Sequence, residues 1–337
     1  MAWGGHEARS TLDLVPTPRP TWPDARLHVV TGKGGTGKTT VAAALALALA
    51  TGGRRSLLVE VEGRQGIAQL FDTPPLPYEE RRIAIAPEGG EVYALAIDPE
   101  EALLEYLEMF YNLRRAGSAL RRLGAIDFAT TIAPGMRDVL LTGKVKEATT
   151  RTEDGQRVYD AVVLDGPPTG RITPFLNVTA EVAGLTKVGP IKSQSDKVIA
   201  LLRSAQTAIH VVTILEEMPV QETIDTAAEL RATALPMGAV IVNMTRESLL
   251  PAGKIDRDKV AAGLKASRLP DDPTVLDTLL REAADHQERE RLQRRERKQL
   301  HALGQPLIEL PFITHGVDLG TLHELSGALH EQGVMAP

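Results

Sequence analysis

Cysteine is absent from all 337 residues. That removes disulfide bridges, thiolate metal sites, iron–sulfur clusters and cysteine nucleophiles, and it suits a reducing, cytoplasmic setting. Long apolar runs are missing as well. The longest aliphatic stretch, Val41 to Ala50, is about half of what a bilayer span requires. The N-terminus carries Pro16, Pro18, Pro20 and Pro23, with His6, Glu7 and Arg9 where a secretory signal would be apolar. Residues 1–25 therefore read as a flexible leader. A basic excess is lacking too: 38 Lys and Arg stand against 44 Asp and Glu, a formal charge of −6. Binding to nucleic acid is not expected, because counterion release needs a basic face. The eight histidines are scattered without ligand spacing, so no zinc site is expected.

What remains is a chain with 43% hydrophobic and 24% charged residues, enough for a large core. Its length suits two domains or one large α/β unit with an insertion. Short β-branched runs alternate with helical patterns, the signature of a mostly parallel sheet covered by helices on both faces. The candidate strands are Leu27–Thr31, Ser56–Val61, Asp160–Asp165, Ala208–Thr213, Ala239–Asn243 and Leu307–Leu310. Helices are expected at Lys38–Thr51, ending at Gly52-Gly53, and at Pro219–Ala234. Residues 99–154 and 177–205 break the alternation and are expected to form an inserted helical subdomain. The core then comprises residues 26–98, 155–176 and 206–337. The charged run from Arg281 has mixed signs and reads as a solvated helix.

The strongest motif follows the first strand directly. Gly32, Lys33, Gly34, Gly35, Thr36, Gly37, Lys38, Thr39 and Thr40 satisfy G-x-x-x-x-G-K-[ST] and open a helix. Glycines let backbone N–H groups curl around phosphates in conformations that side chains forbid. The helix N-terminus adds its positive dipole end. Lys38 is expected on the β- and γ-phosphates, and the Thr39 hydroxyl on Mg²⁺.

Lys33 makes the loop resemble the deviant Walker A motif, K-G-G-x-G-K-[ST]. In that class, the resemblance implies, the early lysine reaches across a dimer to the partner's nucleotide, as an arginine finger does. DGPPTGRITPFL, Asp165 to Leu176, resembles the switch II signature D-T-A-P-T-G-H-T-x-R-F-L. VYALAIDPEEAL from Val92, APGMRDVL from Ala133 and TILEEMPVQET from Thr213 resemble further segments in the same order. Together these motifs resemble the ArsA-type ATPases, and most closely their actinobacterial ArsA-like members. The resemblance implies ATP and Mg²⁺ as cofactors, with Thr39 and Asp165 at the metal. It implies a mobile switch II with Asp165, Gly166, Pro168 and Gly170. Glu216 and Glu222 join Lys33 at a dimer interface, and Asn243, Pro311 and Phe312 meet adenine.

Two departures from the family pattern stand out. EGRQG, Glu62 to Gly66, replaces D-P-A-H-[SN] in switch I. Glu62 then stands where the water-orienting carboxylate belongs, with Glu60 as rival and a purely structural role for both as the third reading. Second, without cysteine neither thiolate capture of arsenite nor a Cys-x-x-Cys zinc clasp can form. The expectation is an ATP hydrolase with Lys33, Glu62 and Lys38 as catalytic groups. It would dimerise with itself or a paralogous ATPase and switch its helical part to serve hydrophobic or membrane-protein clients. Membrane contact, where it occurs, would be transient and made through a partner. A partition or septum-placement role is the rival, as is a weakly hydrolysing half of a heterodimer. The apolar stripe Leu103, Leu104, Leu107, Phe110 and Tyr111, continued by Leu120 and Leu123, is either core or client groove; Met109 and Met136 are its only nearby methionines.

Overall fold

Strand β1 (Leu27–Gly32) leads into helix α1 (Lys38–Ala50), then β2 (Arg55–Glu60) and the short α2 (Gly66–Leu70). A hairpin of β3 (Arg81–Ile85) and β4 (Glu91–Ala96) precedes helices α3 (Pro99–Tyr111) and α4 (Met136–Thr150). After a small ribbon, β5 (Thr152–Glu153) and β6 (Gln156–Arg157), come β7 (Ala161–Asp165), α5 (Thr169–Leu185) and α6 (Pro190–Leu202). Strand β8 (Thr207–Thr213), α7 (Glu217–Ala232), β9 (Met237–Thr245), α8 (Arg257–Ala266) and α9 (Pro273–His301) follow. Strand β10 (Leu307–Pro311) and α10 (Leu319–Glu331) close the sequence of elements. The computed structural model describes residues 22–111, 135–185, 190–248, 250, 253, 255–269 and 272–334, without the side chains of 106, 107, 109–111 and 181–191.

Eight strands form one sheet in the order β10-β9-β8-β1-β7-β2-β4-β3, parallel throughout except for β3 against β4. Because β1 lies between β7 and β8, the loop after it emerges at the middle of the sheet. The C-terminal ends of β1, β2, β7, β8 and β9 open on the same side, where open α/β sheets bind ligands.

Every residue of β1, β7 and β8 is buried, as parallel strands covered on both faces require. Val30, Leu58, Val163 and Val212 pack with α1 and α10 on one face. Val29, Leu57, Val59 and Leu164 face the other way, toward α4, α5 and α6. Helix α1 is apolar all round: Val41 to Ala50 are at most 1% exposed. Such a helix must sit between layers, and α1 lies between the sheet and α10.

The six expected strands are all present. β3 and β4 are additional; β3 is an edge strand whose Arg81, Arg82 and Ile85 face solvent, so it lacks the apolar run that marks a buried one. Residues 22–25, expected in the leader, include packed side chains: Trp22 lies edge-on to His210 at 4.7 Å, and Ala25 is buried. The charged run falls on α9, whose Glu296 is buried but accepts from Arg295 and Gln299. The stretches expected to be helical contain α3, α4, most of α5, and α6. Leu103 packs on the core and Leu104 is half-buried. Leu120 and Leu123 lie outside the described residues, as do the side chains of Leu107, Met109, Phe110 and Tyr111.

Both rims of the sheet are blunted. The Gln332 carboxamide accepts from Glu309 N and donates to Glu309 O, both at 2.9 Å, standing in for a neighbour to β10. At the opposite rim β3 is short, irregular in register and carries two arginines.

Candidate active site

The loop from Gly32 to Gly37 turns β1 into α1, and its neighbours leave no room for a side chain at either end. A Cβ on Gly32 would lie 2.2 Å from Val212 O. Gly37 caps α1 in the left-handed region at φ 84°, and a Cβ there would lie 2.4 Å from Asn243 Nδ2. Asn243, at the end of β9, donates that amide to Thr36 O at 2.9 Å, and the Thr36 hydroxyl donates to Lys33 O at 2.8 Å. The loop is thus braced from inside and from β9, with Gly34 and Gly35 exposed and Lys38 and Thr40 half-buried at the helix start.

Behind the loop the Thr39 hydroxyl donates to Asp165 Oδ2 at 2.7 Å. Asp165 is 9% exposed, and its Oδ1 is buried without a hydrogen-bond partner. Burial raises its pKa to about 6, against the pull of Thr39 and Lys38; Glu60 and Glu62 push in the same direction as burial. A hydroxyl paired with a desolvated, half-satisfied carboxylate suits a hard cation. Among the described residues no group of three or more His, Cys, Asp or Glu is placed to hold a metal. Mg²⁺ at Thr39 and Asp165 would therefore take its remaining oxygens from phosphates and water.

The two switch I carboxylates differ in surroundings. Glu60, 3% exposed, accepts from Gln65 N at 2.5 Å and from Ile67 N at 3.3 Å, so it is spent on the start of α2. The Glu62 side chain is 20% exposed and, among the described residues, forms an ion pair with the outer Arg64, at 3.7 Å. Both sit close enough to Asp165 to act on its charge. A Cβ on Gly66 would lie 3.4 Å from Thr39, which places switch I directly against the phosphate loop.

Switch II is tied to β1. Gly166 N donates to Val30 O at 2.9 Å, and the Thr31 hydroxyl donates to Pro167 O at 2.7 Å. Pro168 O accepts from Arg171 N and Ile172 N, and Gly170 is exposed with open space around it.

Lys33 Nζ pairs with Glu222 on α7 of its own chain. The other Glu222 oxygen accepts from the Thr169 hydroxyl of switch II at 2.9 Å. The lysine beside it, and then Thr169, hold the Glu222 carboxyl below its usual range. This three-way contact was not legible in sequence, which set Lys33 and Glu222 at one surface without pairing them. Glu216 caps α7 and is exposed, next to Met218, which is 63% exposed. At the other flank of the loop, Pro311 and Phe312 are exposed, and the Arg246 guanidinium lies 3.8 Å from the Phe312 ring centroid. Met244, in the left-handed region at φ 59°, sets its Cε 3.6 Å from where a Gly37 Cβ would lie. Neither residue carried a sequence signal.

A glycine loop braced at the centre of a parallel sheet, with a Thr–Asp pair behind it, defines a P-loop nucleotide hydrolase. Over residues 25–205 the chain matches the ArsA ATPase family, described as anion-transporting ATPase, and it belongs to that family. It is similar to ATPase BagA of Mycobacterium tuberculosis, with 56% identity over 328 residues, covering 93% of this chain and 96% of the relative. An arsenical pump-driving ATPase of Escherichia coli is 26% identical over 260 residues, 69% of this chain and 41% of that protein. ATPase GET3B of Arabidopsis thaliana is 24% identical over 280 residues, 68% and 66% of the two chains. The chain is an ATP hydrolase of this family. Among the described residues no helix is long and apolar enough to cross a membrane.

Proposed function

We propose that the chain binds ATP with Mg²⁺ at Thr39 and Asp165, dimerises around the nucleotide, and uses hydrolysis to move its helical elements for a hydrophobic or membrane-protein client. The observation that carries the nucleotide site is the Thr39–Asp165 pair set behind the glycine loop. In this reading Gly32 to Thr40 cradle the phosphates through backbone N–H groups, and Lys38 supplies fixed positive charge to the β- and γ-oxygens. Mg²⁺, when bound, neutralises charge that develops on the transferred phosphoryl. Glu62, freer than Glu60, orients the attacking water. Asn243, Pro311 and Phe312 receive the base. Lys33 leaves Glu222 to reach the nucleotide of the partner subunit, and Glu216 and Glu222 line the same contact. The partner is a second copy or a paralogue, and the setting is the cytoplasm, with membrane contact only through a partner.

Lys38→Ala tests the site, with loss of ATP binding or turnover as the expected result. Turnover at the parent rate would overturn it. The client role is tested with Glu62→Gln protein held with ATP: capture of a synthetic apolar helical peptide, and its release on exchange to ADP, is expected. Equal capture with both nucleotides would exclude a nucleotide-gated client site.

A further inference from the structure

Gln65 stands where the family motif D-P-A-H-[SN] has histidine, and the structure shows what the change does. Its side-chain carbonyl accepts from Leu76 N at 2.7 Å, and its amide donates to Leu76 O at 3.2 Å. A carboxamide presents donor and acceptor side by side and can bind both backbone groups of one residue; the two ring nitrogens of an imidazole point apart and cannot. The Gln65 backbone is in the left-handed region, at φ 56°, and its N–H is bonded to Glu60. A non-glycine residue in that region persists only when its surroundings hold it.

Beyond the buried Leu76 the chain is bound again. The Tyr78 hydroxyl donates to Glu105 of α3 at 2.5 Å, and Glu105 also accepts from Lys144 of α4 at 2.8 Å. Two residues on, Glu80 takes Arg151, just past α4, at 2.6 Å and the Tyr159 hydroxyl at 2.7 Å. Helix α4 is also held from the switch II side: Asp138 lies 3.9 Å from Arg171, and the hydroxyls of Thr142 and Thr179 are 3.1 Å apart. Both switches therefore meet at α4 through side-chain contacts.

We propose that Gln65 is the positioning residue of switch I: its carboxamide clamps Leu76 and thereby links the loop bearing Glu62, through Tyr78 and Glu105, to α3 and α4. Displacement of Glu62 by the γ-phosphate then moves α4, and the placement of α4 feeds back on Glu62. The inference rests on the ATPase site described above and extends it to a residue whose side chain is bonded to the backbone of Leu76.

The test uses the full chain and the variants Gln65→Glu, which keeps the size and loses the donor, and Tyr78→Phe, which removes one hydroxyl. Steady-state ATP hydrolysis is measured together with amide exchange of residues 136–150 in protein loaded with a slowly hydrolysed ATP analogue or with ADP. Gln65→Glu is expected to lower kcat by about 10- to 100-fold while leaving KM within about twofold, because the water-orienting carboxylate is misplaced and the phosphate loop is intact. Tyr78→Phe is expected to shrink the difference in α4 exchange between the two nucleotide states, switch II keeping its own contacts with α4, and to lower kcat less than Gln65→Glu does. Parental kcat in Gln65→Glu, or a parental exchange difference in Tyr78→Phe, would overturn the proposal while a dead Lys38→Ala control still upholds the ATPase site. A Lys38→Ala control that turns over at the parental rate would instead remove the site, and this inference with it.

Discussion

Glu60 and Glu62 lie two residues apart, yet burial and backbone donors give them different duties. Glu60 holds the start of α2, whereas Glu62 accepts no backbone donor among the described residues. Glu62→Gln should hydrolyse ATP roughly 10² to 10⁴ times more slowly while still binding it, as single-turnover assays would read. A normal rate in Glu62→Gln beside a dead Glu60→Gln would reverse the assignment. His28 and His210 are a second pair whose state follows from hydrogen bonding. Ala239 N donates to His210 Nδ1 at 3.1 Å, so the His210 proton sits on Nε2 and is donated to His28 Nδ1, also 3.1 Å away. Both rings are 1% exposed. Burial lowers the His28 pKa from 6.5 to about 4, the nearby Arg26 adding to the effect, and burial also drives His210 well down. The unfolded chain takes up the His28 proton below about pH 6.5 and the folded chain does not until about pH 4; His210 acts in the same direction. Stability is therefore full above pH 6.5 and is withdrawn on acidification toward pH 4, by roughly 3 kcal/mol for His28 alone. Thermal melts across that range should show the fall, and His28→Gln should flatten it. At this scale Lys38 and Thr39 were legible because phosphate binding demands their spacing. The Lys33–Glu222 pair was not, since its members are 189 positions apart.

Among the elements, α1 declared itself through an apolar run of Ala and Leu, and β1, β7 and β8 through short β-branched runs, since full burial leaves a mostly apolar record. Strand β3 escaped because an edge strand keeps its charges: of its five residues Ala84 alone is buried. The loop between β1 and α1 is the least tolerant element. Gly37→Ala forces a left-handed alanine against Asn243, at a cost of about 1–2 kcal/mol in backbone strain alone. A lowered melting temperature together with weakened ATP binding is the expected result; unchanged affinity would mean that Asn243 yields without moving the loop. The resemblance pointed to Asn243, Pro311 and Phe312, but Arg246 reaches Phe312 only because β9 and β10 are neighbours.

For the molecule as a whole, the place of Lys33 decides how two chains would cooperate. If Lys33 serves the partner's nucleotide, mixing inactive Lys33→Ala and Lys38→Ala proteins creates mixed dimers with one intact site and one doubly damaged site. Turnover should then reappear on mixing, up to about half the parental rate per mixed dimer. No recovery would mean that Lys33 works within its own chain, on the side where Glu222 now holds it.

The Gln332 amide that imitates a strand beside β10, and the arginine-bearing hairpin at the far rim, bear on crowding. Backbone groups left open along a sheet invite further chains to add indefinitely, by the same bonds that build fibrils. Here the outward backbone groups of Glu309 at one rim are taken by a side chain and the other rim is guarded by charge. Growth along the ladder direction is discouraged, while the nucleotide-bearing ends of the strands stay uncovered. Removing one carboxamide, as in Gln332→Ala, would reopen that rim and give the protein a slow, concentration-dependent route to insoluble aggregates, visible as rising light scatter on storage.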